Sequence, residues 1–138
     1  MVRRDVLMSI RPHYAEAILS GSKLYELRRR RPSFGEGSRV IVYSSSPDQH
    51  LLGTFEAGAI HEANPEKLWR LVRGHAGIDR PAFASYFAGC DVAYAIEVRS
   101  PQRLEPTRLR FRPPQSYLFL LGGRRGHRRV LRWAGSSA

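Results

Sequence analysis

Three charged side chains near the start of the chain are of the types that proton transfer and phosphate binding require. Lys23, Glu26 and Arg28 follow one another closely. An amine and a carboxylate can exchange protons with a substrate, and a guanidinium stabilises a phosphate or a developing negative charge. In a regular strand Glu26 and Arg28 share a face and Lys23 has the opposite parity, so the three converge only if the chain bends near Ser22 or Leu24. The alternative is a surface ion pair of Glu26 with Arg28, worth less than about 1 kcal/mol.

Arginines make up a second group of candidate binding residues. Arg28, Arg29, Arg30 and Arg31 are consecutive, and adjacent like charges repel unless anions lie between them, which favours phosphate contacts. A solvated strand end is an equally good interpretation. Arg11 stands directly before a predicted helix, and the first backbone N–H groups of a helix form a natural anion site.

A third group could contact a nucleic-acid base. Tyr43, Ser44 and Ser45 end a predicted strand with one aromatic ring and two hydroxyls, which suits stacking on a base and hydrogen bonding to its edge. The alternative is that Tyr43 belongs to the core and the serines form a turn. Gln115 and Ser116 follow two prolines and are weaker candidates.

Periodicity and turn residues place these groups on a small set of elements. A helix begins at Pro12 and ends at Gly21, where a left-handed residue closes it. Two further helices are expected after Asn64 and after Asp79, each of which would cap its helix. Their apolar side chains are expected to be buried, namely Leu68, Leu71 and Val72 in the first helix and Phe83, Tyr86 and Phe87 in the second. Alternating apolar residues predict strands at 5–10, 24–28, 39–43, 51–60 and 92–99. The third of these is apolar on both faces, which indicates a central position in a sheet.

Composition narrows the classes of partner. The formal net charge is +11, and all but two of the 23 Lys and Arg residues are arginine, which indicates a polyanionic partner such as RNA or single-stranded nucleic acid. A compositional bias toward arginine is the alternative. Cys90 is the single cysteine and the histidines are scattered, so we expect no metal and no cofactor. Because the chain has no long apolar run, we expect no membrane partner and a cytoplasmic location.

Four stretches in order resemble one known family. The pattern Gly21-x-Lys23-x-x-Glu26-x-Arg28, followed by residues 42–47, 94–98 and 113–117, is similar to the ASCH domain. The resemblance covers roughly residues 5 to 121 and implies a small β-barrel similar to the PUA fold. We therefore expect an α+β fold of about five to six strands with helices at the barrel rim. The domain would cover residues 1–121, and residues 122–138 would form a basic C-terminal tail.

The resemblance also implies activities. One branch contains amidohydrolases of acetylated cytidine that use a lysine, a threonine three residues later and a glutamate. Lys23 matches the lysine, Glu26 stands in the threonine position, and only Asp79 or His75 lies near the place of the glutamate. Another branch contains ribonucleases. Lys23, Glu26, Arg28 and a tyrosine are of the types that such an enzyme needs as general base, general acid and phosphate-binding group.

The sequence thus predicts an RNA-binding module with a basic cleft that holds a base or a modified nucleoside. A hydrolase acting in the same cleft, with Lys23 and Glu26 as catalytic residues, is the alternative. An adaptor that binds acidic proteins is a third class. The predicted binding residues are Arg11, Lys23, Glu26, Arg28, Arg29, Arg30, Tyr43, Ser44, Ser45, Gln115 and Ser116. The sequence leaves the oligomeric state open.

Overall fold

One mixed sheet with helices on its surface organises the chain. The computed structural model describes residues 2–135. Its elements are β1 (Asp5–Ile10), α1 (Pro12–Ser20), β2 (Tyr25–Arg28), β3 (Arg39–Ser44), β4 (His50–Ala63), α2 (Pro65–Val72), α3 (Arg80–Tyr86), β5 (Ala93–Arg108), β6 (Tyr117–Phe119) and α4 (Arg125–Trp133). The six strands are ordered β2-β5-β4-β3-β1-β6, and the expected α+β fold is confirmed.

The two faces of the central strands are both buried. On β3, Val40 and Val42 pack into one core cluster together with α1, whereas Ile41 and Tyr43 pack into another with α4. Successive side chains of a strand point to opposite faces of the sheet, so this alternation shows that β3 is covered on both faces. Strand β3 lies between β4 and β1, so its predicted central position is correct.

Long, irregular strands give the sheet its curvature. Strands β4 and β5 pair antiparallel with three register shifts, of which the first ends at Gly53 and the last spans Gly58. A Cβ on Gly53 would overlap the carbonyl oxygen of Gln102 in the paired strand. Strand β5 contains Pro101 and Pro106. A proline has no N–H to donate to a neighbouring strand, but neither proline is among the residues paired with β4, so the strand continues through both.

The positions at which α2 and α3 begin, which were predicted from their capping residues, are confirmed. Asn64 and Asp79 each accept a backbone N–H at 2.9 Å from the first turn of α2 and α3, respectively. Gly21 ends α1 with a φ of 88°. The burial predicted for Leu71 and Tyr86 is wrong, because both side chains are exposed.

The C-terminal segment contains the helix α4, which packs on the sheet. Val130 and Leu131 are buried against the face of β1 and β3 that carries Leu7 and Ile41. The N–H of Leu121 donates to Nδ1 of His127 at 2.9 Å and anchors the start of the helix. Positions 136–138 of the predicted tail lie outside the described residues. Among residues 2–135 no helix is long and apolar enough to cross a bilayer.

Candidate functional site

A cleft opens where β1 and β3 end. The two strands are parallel, so their carboxyl ends meet at one edge of the sheet. The start of α1, strand β2, helix α3, the turn after β3 and residues 112–115 enclose a volume of about 1020 Å³. Its polar side chains are Ser9, Arg11, Tyr14, Lys23, Glu26, Arg28, Tyr43, Ser45, Ser46, Gln49, Ser85, Tyr86, Arg112 and Gln115.

Lys23 is a buried member of this lining. It precedes β2 and is only 2% exposed, and its backbone N–H donates to the carbonyl of Ala17 at 2.9 Å. The ammonium donates to the carbonyl oxygen of Ala76 and lies 4.9 Å from the ring centroid of Tyr14. The chain therefore bends before β2, as convergence of Lys23 with Glu26 required.

Gly77 closes the space around the Lys23 stem. It has a φ of +66°, and a Cβ at this position would lie 3.0 Å from the Cβ of Lys23. The left-handed backbone favours glycine, and the close approach leaves no room for a larger residue. The loop between α2 and α3 thus fixes the buried lysine from one side.

Burial controls the protonation of Lys23. Desolvation lowers the pKa of its amine below the ordinary value, because the charged form loses hydration. The carboxylate of Glu26 opposes this and raises the pKa, and the guanidinium of Arg28 adds to the lowering. The net direction is downward, so the amine is easier to deprotonate than an exposed lysine.

Glu26 and Arg28 form a partly buried ion pair beside the lysine. Nε and Nη2 of Arg28 donate to the same oxygen of Glu26, Oε2, at 3.1 and 2.8 Å. Nη2 also donates to the carbonyl oxygen of Ser9 at 3.2 Å, which ties β2 to the end of β1. The side chains of Arg28 and Glu26 are 15% and 8% exposed, so the guanidinium is held rigidly and still reaches the cleft.

Two tyrosines supply aromatic surface to the cleft. Tyr14 lies on α1 and is half-buried, and Tyr86 lies at the end of α3 with 39% of its surface exposed. The Tyr86 hydroxyl donates to the carbonyl oxygen of Leu27 at 3.1 Å. Loss of hydration around the hydroxyl raises the pKa of this phenol although part of the ring is exposed, so Tyr86 remains a neutral donor at physiological pH.

The charged side chains that line the cleft are mostly basic. Arg11, Lys23, Arg28 and Arg112 face one acid, Glu26. Within residues 2–135, Arg11 and Arg112 have no carboxylate within ion-pair distance. The same part of the chain contains no group of three His, Cys, Asp or Glu side chains that could hold a metal ion.

Sequence and structure comparisons agree on one family. The family model for the ASCH domain matches residues 8–102. The chain belongs to the ASCH domain family. It is 30% identical to a protein of Zymomonas mobilis named as an ASCH domain-containing ribonuclease, in an alignment of 126 residues that covers 86% of this chain and 85% of the relative.

Solved ASCH structures show the same fold. The crystal structure of the ASCH protein from Zymomonas mobilis is 29% identical and superposes with a TM-score of 0.84 over 94% of each chain. Two variants of that protein, one with tyrosine changed to phenylalanine and one with serine changed to alanine, superpose with the same TM-score of 0.84 and are 28% identical. They cover 94% of this chain and 97% and 95% of their own chains.

The ASCH cleft gathers most, but not all, of the residues predicted from the sequence. The predicted residues that line it are Arg11, Lys23, Glu26, Arg28, Tyr43, Ser45 and Gln115. Tyr43 contributes little aromatic surface, since it is only 8% exposed and packs into the core cluster with Leu7 and Ile41.

The other predicted residues lie outside the lining. Ser44 is fully buried and donates to Oδ2 of Asp48 at 2.9 Å. Arg29 turns away to Cys90, whose sulfur lies 3.3 Å from its Nε. Arg30 and Ser116 are exposed and do not contribute to the cleft.

Sequence reasoning missed Tyr14 and Arg112 and assigned Tyr86 to the core. Tyr14 lies one helical turn after Arg11, so a helix beginning at Pro12 brings both residues to the same end of α1. Arg112 immediately precedes the proline pair of a stretch that resembles the family. Both signals were present, but neither by itself distinguishes a cleft residue from a surface residue.

Proposed function

We propose that this ASCH protein is a ribonuclease that binds RNA in the cleft. The observation that carries the proposal is the buried Lys23 beside the Glu26–Arg28 pair, in a cleft with four basic side chains and one acid. A basic lining attracts the phosphate backbone of RNA. The relative from Zymomonas mobilis that is named as a ribonuclease adds support from the same family.

The cleft offers the parts that RNA binding needs. Its volume of about 1020 Å³ is at the upper end of the roughly 300–1,000 Å³ typical of small-molecule sites, so there is room for a ligand larger than a single base. Tyr14 and Tyr86 offer rings on which bases can stack. Arg28 and Arg112 would bind the phosphate between stacked nucleotides, and Ser45 and Gln115 would hydrogen bond to base edges.

Cleavage would use the 2′-hydroxyl of the bound RNA as nucleophile. Its oxygen would bond to the adjacent phosphorus while the bond from phosphorus to the 5′-oxygen breaks, which leaves a 2′,3′-cyclic phosphate and a 5′-hydroxyl that takes its proton from water. A base must take the proton of that hydroxyl, and positive charge must stabilise the phosphate as its negative charge grows. Lys23 is the candidate base, because its lowered pKa makes the neutral amine accessible nearer to physiological pH. Arg28 would stabilise the phosphate, and Glu26 would hold Arg28 in place.

RNA binding without cleavage is the second candidate function. The hydrogen bond from Lys23 to Ala76 and the nearby charge of Glu26 both favour the ammonium form. In that case Lys23 would act as a fixed positive charge for a phosphate. The amidohydrolase alternative has less support, because Glu26 has no hydroxyl nucleophile and its Oε2 accepts both bonds from Arg28. Either RNA function is consistent with a cytoplasmic location.

The two lysines of the chain allow a matched test. The substitution Lys23→Met removes the buried amine, and Lys67→Met removes an exposed one on α2. We expect the wild type and Lys67→Met to cut an unstructured RNA, with Lys23→Met slower by about 10²- to 10⁴-fold. RNA methylated at every 2′-oxygen should bind but remain intact, because its nucleophile is blocked.

The outcomes separate the candidates. If the wild type binds RNA and never cuts it, the protein is a binder and the ribonuclease proposal is wrong. If all three proteins cut at the same rate, the activity does not depend on Lys23 and belongs to a contaminant or another site. If RNA does not bind even at low salt, both RNA functions are excluded.

A further inference from the structure

The helix α4 presents one face made almost wholly of arginine. Arg125, Arg128, Arg129 and Arg132 occupy positions i, i+3, i+4 and i+7 and are all exposed. This spacing places them on one side of an α-helix. The opposite side carries Val130 and Leu131, both buried against the sheet. We call the four exposed side chains the arginine stripe.

In the part of the chain that the structure describes, no carboxylate pairs with the arginine stripe. Glu105 is the last acidic residue of the chain, and residues 106–138 contain eight arginines. Within residues 2–135, none of these eight arginines has a carboxylate within ion-pair distance, whereas Arg31, Arg80, Arg99 and Arg103 all do. Like charges one turn apart destabilise a helix, so a bound polyanion would relieve a repulsion that is present in the free protein.

The arginine stripe is connected to the cleft by the segment before β6. Arg112 lines the cleft, and its neighbour Phe111 contacts α4, with ring centroids of Phe111 and His127 5.5 Å apart. A Cβ on Gly126 would lie 3.1 Å from the Phe111 ring. Arg110, the residue before Phe111, is also exposed. Basic side chains therefore continue from the lip of the cleft toward α4.

We propose that the arginine stripe is a second RNA-binding surface, which holds the phosphate backbone of RNA that extends out of the cleft; this inference rests on the proposed function. Exposed guanidinium groups without partners suit backbone contacts, which do not depend on sequence. An anionic membrane is a poorer partner, because amphipathic helices bind bilayers through their apolar face and that face of α4 is buried in the core.

The test compares RNA lengths in a stripe variant and a charge-matched control. The stripe variant carries Arg125→Gln, Arg128→Gln, Arg129→Gln and Arg132→Gln. The control carries the same change at four exposed arginines that do not line the cleft, namely Arg70, Arg73, Arg80 and Arg99. Binding is measured with a 2′-O-methyl trinucleotide and with a 2′-O-methyl RNA of about twenty nucleotides.

We expect the stripe variant to bind the trinucleotide as the wild type does and the long RNA about tenfold or more weakly. The log–log salt dependence for the long RNA should become shallower by about 0.7 for each lost phosphate contact. The control should lose clearly less affinity than the stripe variant. Equal losses in both variants would mean that only net charge matters, and would overturn the inference.

Two further results would also show that the arginine stripe is not an RNA-binding surface. Unchanged binding of long RNA by a folded stripe variant would exclude it as an RNA surface. Binding of the wild type to phosphatidylglycerol vesicles that equals its RNA binding, and is lost in the same variant, would assign the stripe to a membrane. Failure of the cleft proposal looks different, because Lys23→Met would then cut unstructured RNA at the wild-type rate while the stripe variant still lost affinity for long RNA.

Discussion

At the scale of single residues, Lys23 is a buried amine, and a buried ammonium group is rare in folded proteins unless polar or charged groups stabilise it. It has one carbonyl partner, a tyrosine ring at 4.9 Å and a carboxylate nearby. These contacts limit the cost of removing an ammonium from water, but burial remains the largest influence on its pKa. A residue held at such a cost in a cleft is a candidate for function.

The lowered pKa of Lys23 predicts how stability changes with pH. In the unfolded chain a lysine loses its proton near pH 10.4, and in the folded protein Lys23 does so at lower pH. Between these two values the unfolded state binds more protons, so the free energy of unfolding contributed by Lys23 rises with pH. We expect the free energy of unfolding of the wild type minus that of Lys23→Met to rise as the pH increases toward about 10.4, by at most about 1.4 kcal/mol per pH unit.

Denaturant unfolding at several pH values measures this difference. Subtracting the variant removes the contributions of other groups, including Tyr86, whose raised pKa acts in the opposite direction at high pH. The corresponding difference for Lys67→Met should stay flat, because that side chain is exposed. A flat difference for Lys23→Met as well would show that the lysine is solvated rather than buried.

At the scale of elements, the loop between α2 and α3 determines where Lys23 lies. The carbonyl oxygen of His75 accepts the N–H of Leu24 at 2.7 Å, Ala76 accepts the ammonium, and Gly77 packs against the stem. Gly74 begins the same loop with a φ of +83°, but no neighbouring atom lies within 4 Å of the position that a Cβ would take there. The two glycines thus share the backbone conformation and differ in their surroundings.

Alanine substitutions at these glycines should therefore have different effects. Gly74→Ala should cost about 1–2 kcal/mol for its left-handed backbone. Gly77→Ala should cost about 1–3 kcal/mol more, because its methyl group must displace Lys23, and it should also weaken RNA cleavage or binding. Thermal unfolding and the RNA assay check both effects, and equal losses of stability in the two variants would contradict the packing of Gly77 on Lys23.

The elements that the sequence predicted well are those fixed by local chemistry. Pro12 and Gly21 bound α1, and the caps Asn64 and Asp79 start their helices, because each signal acts within a few residues. Burial of Tyr86 was predicted wrongly, since the helical pattern cannot tell which side of a short helix faces a cleft. The cleft itself brings residues 9–14 together with residues 112–115, and no local pattern encodes such a contact.

At the scale of the whole molecule, the charges are divided unequally along the chain. All twelve acids lie before residue 106, and several of them neutralise arginines there, as in the pairs of Arg39 with Asp5 and of Arg103 with Glu16. The net charge of +11 is therefore concentrated toward the C-terminal segment and the lip of the cleft. Long-range attraction of a polyanion and local recognition in the cleft should be separable.

Salt dependence with two polyanions tests this separation. RNA offers bases to the cleft, whereas inorganic polyphosphate of similar charge offers phosphates alone. We expect log affinity to fall linearly with log salt for both, because both release counterions. The affinities are then extrapolated to about 1 M salt, where the contribution of counterion release vanishes. There the 2′-O-methyl RNA should retain measurable affinity through base contacts with Tyr14 and Tyr86, and polyphosphate should retain none. Equal affinities for RNA and polyphosphate at every salt concentration would mean that the cleft recognises no base, and the protein would then be a binder of phosphate backbones alone.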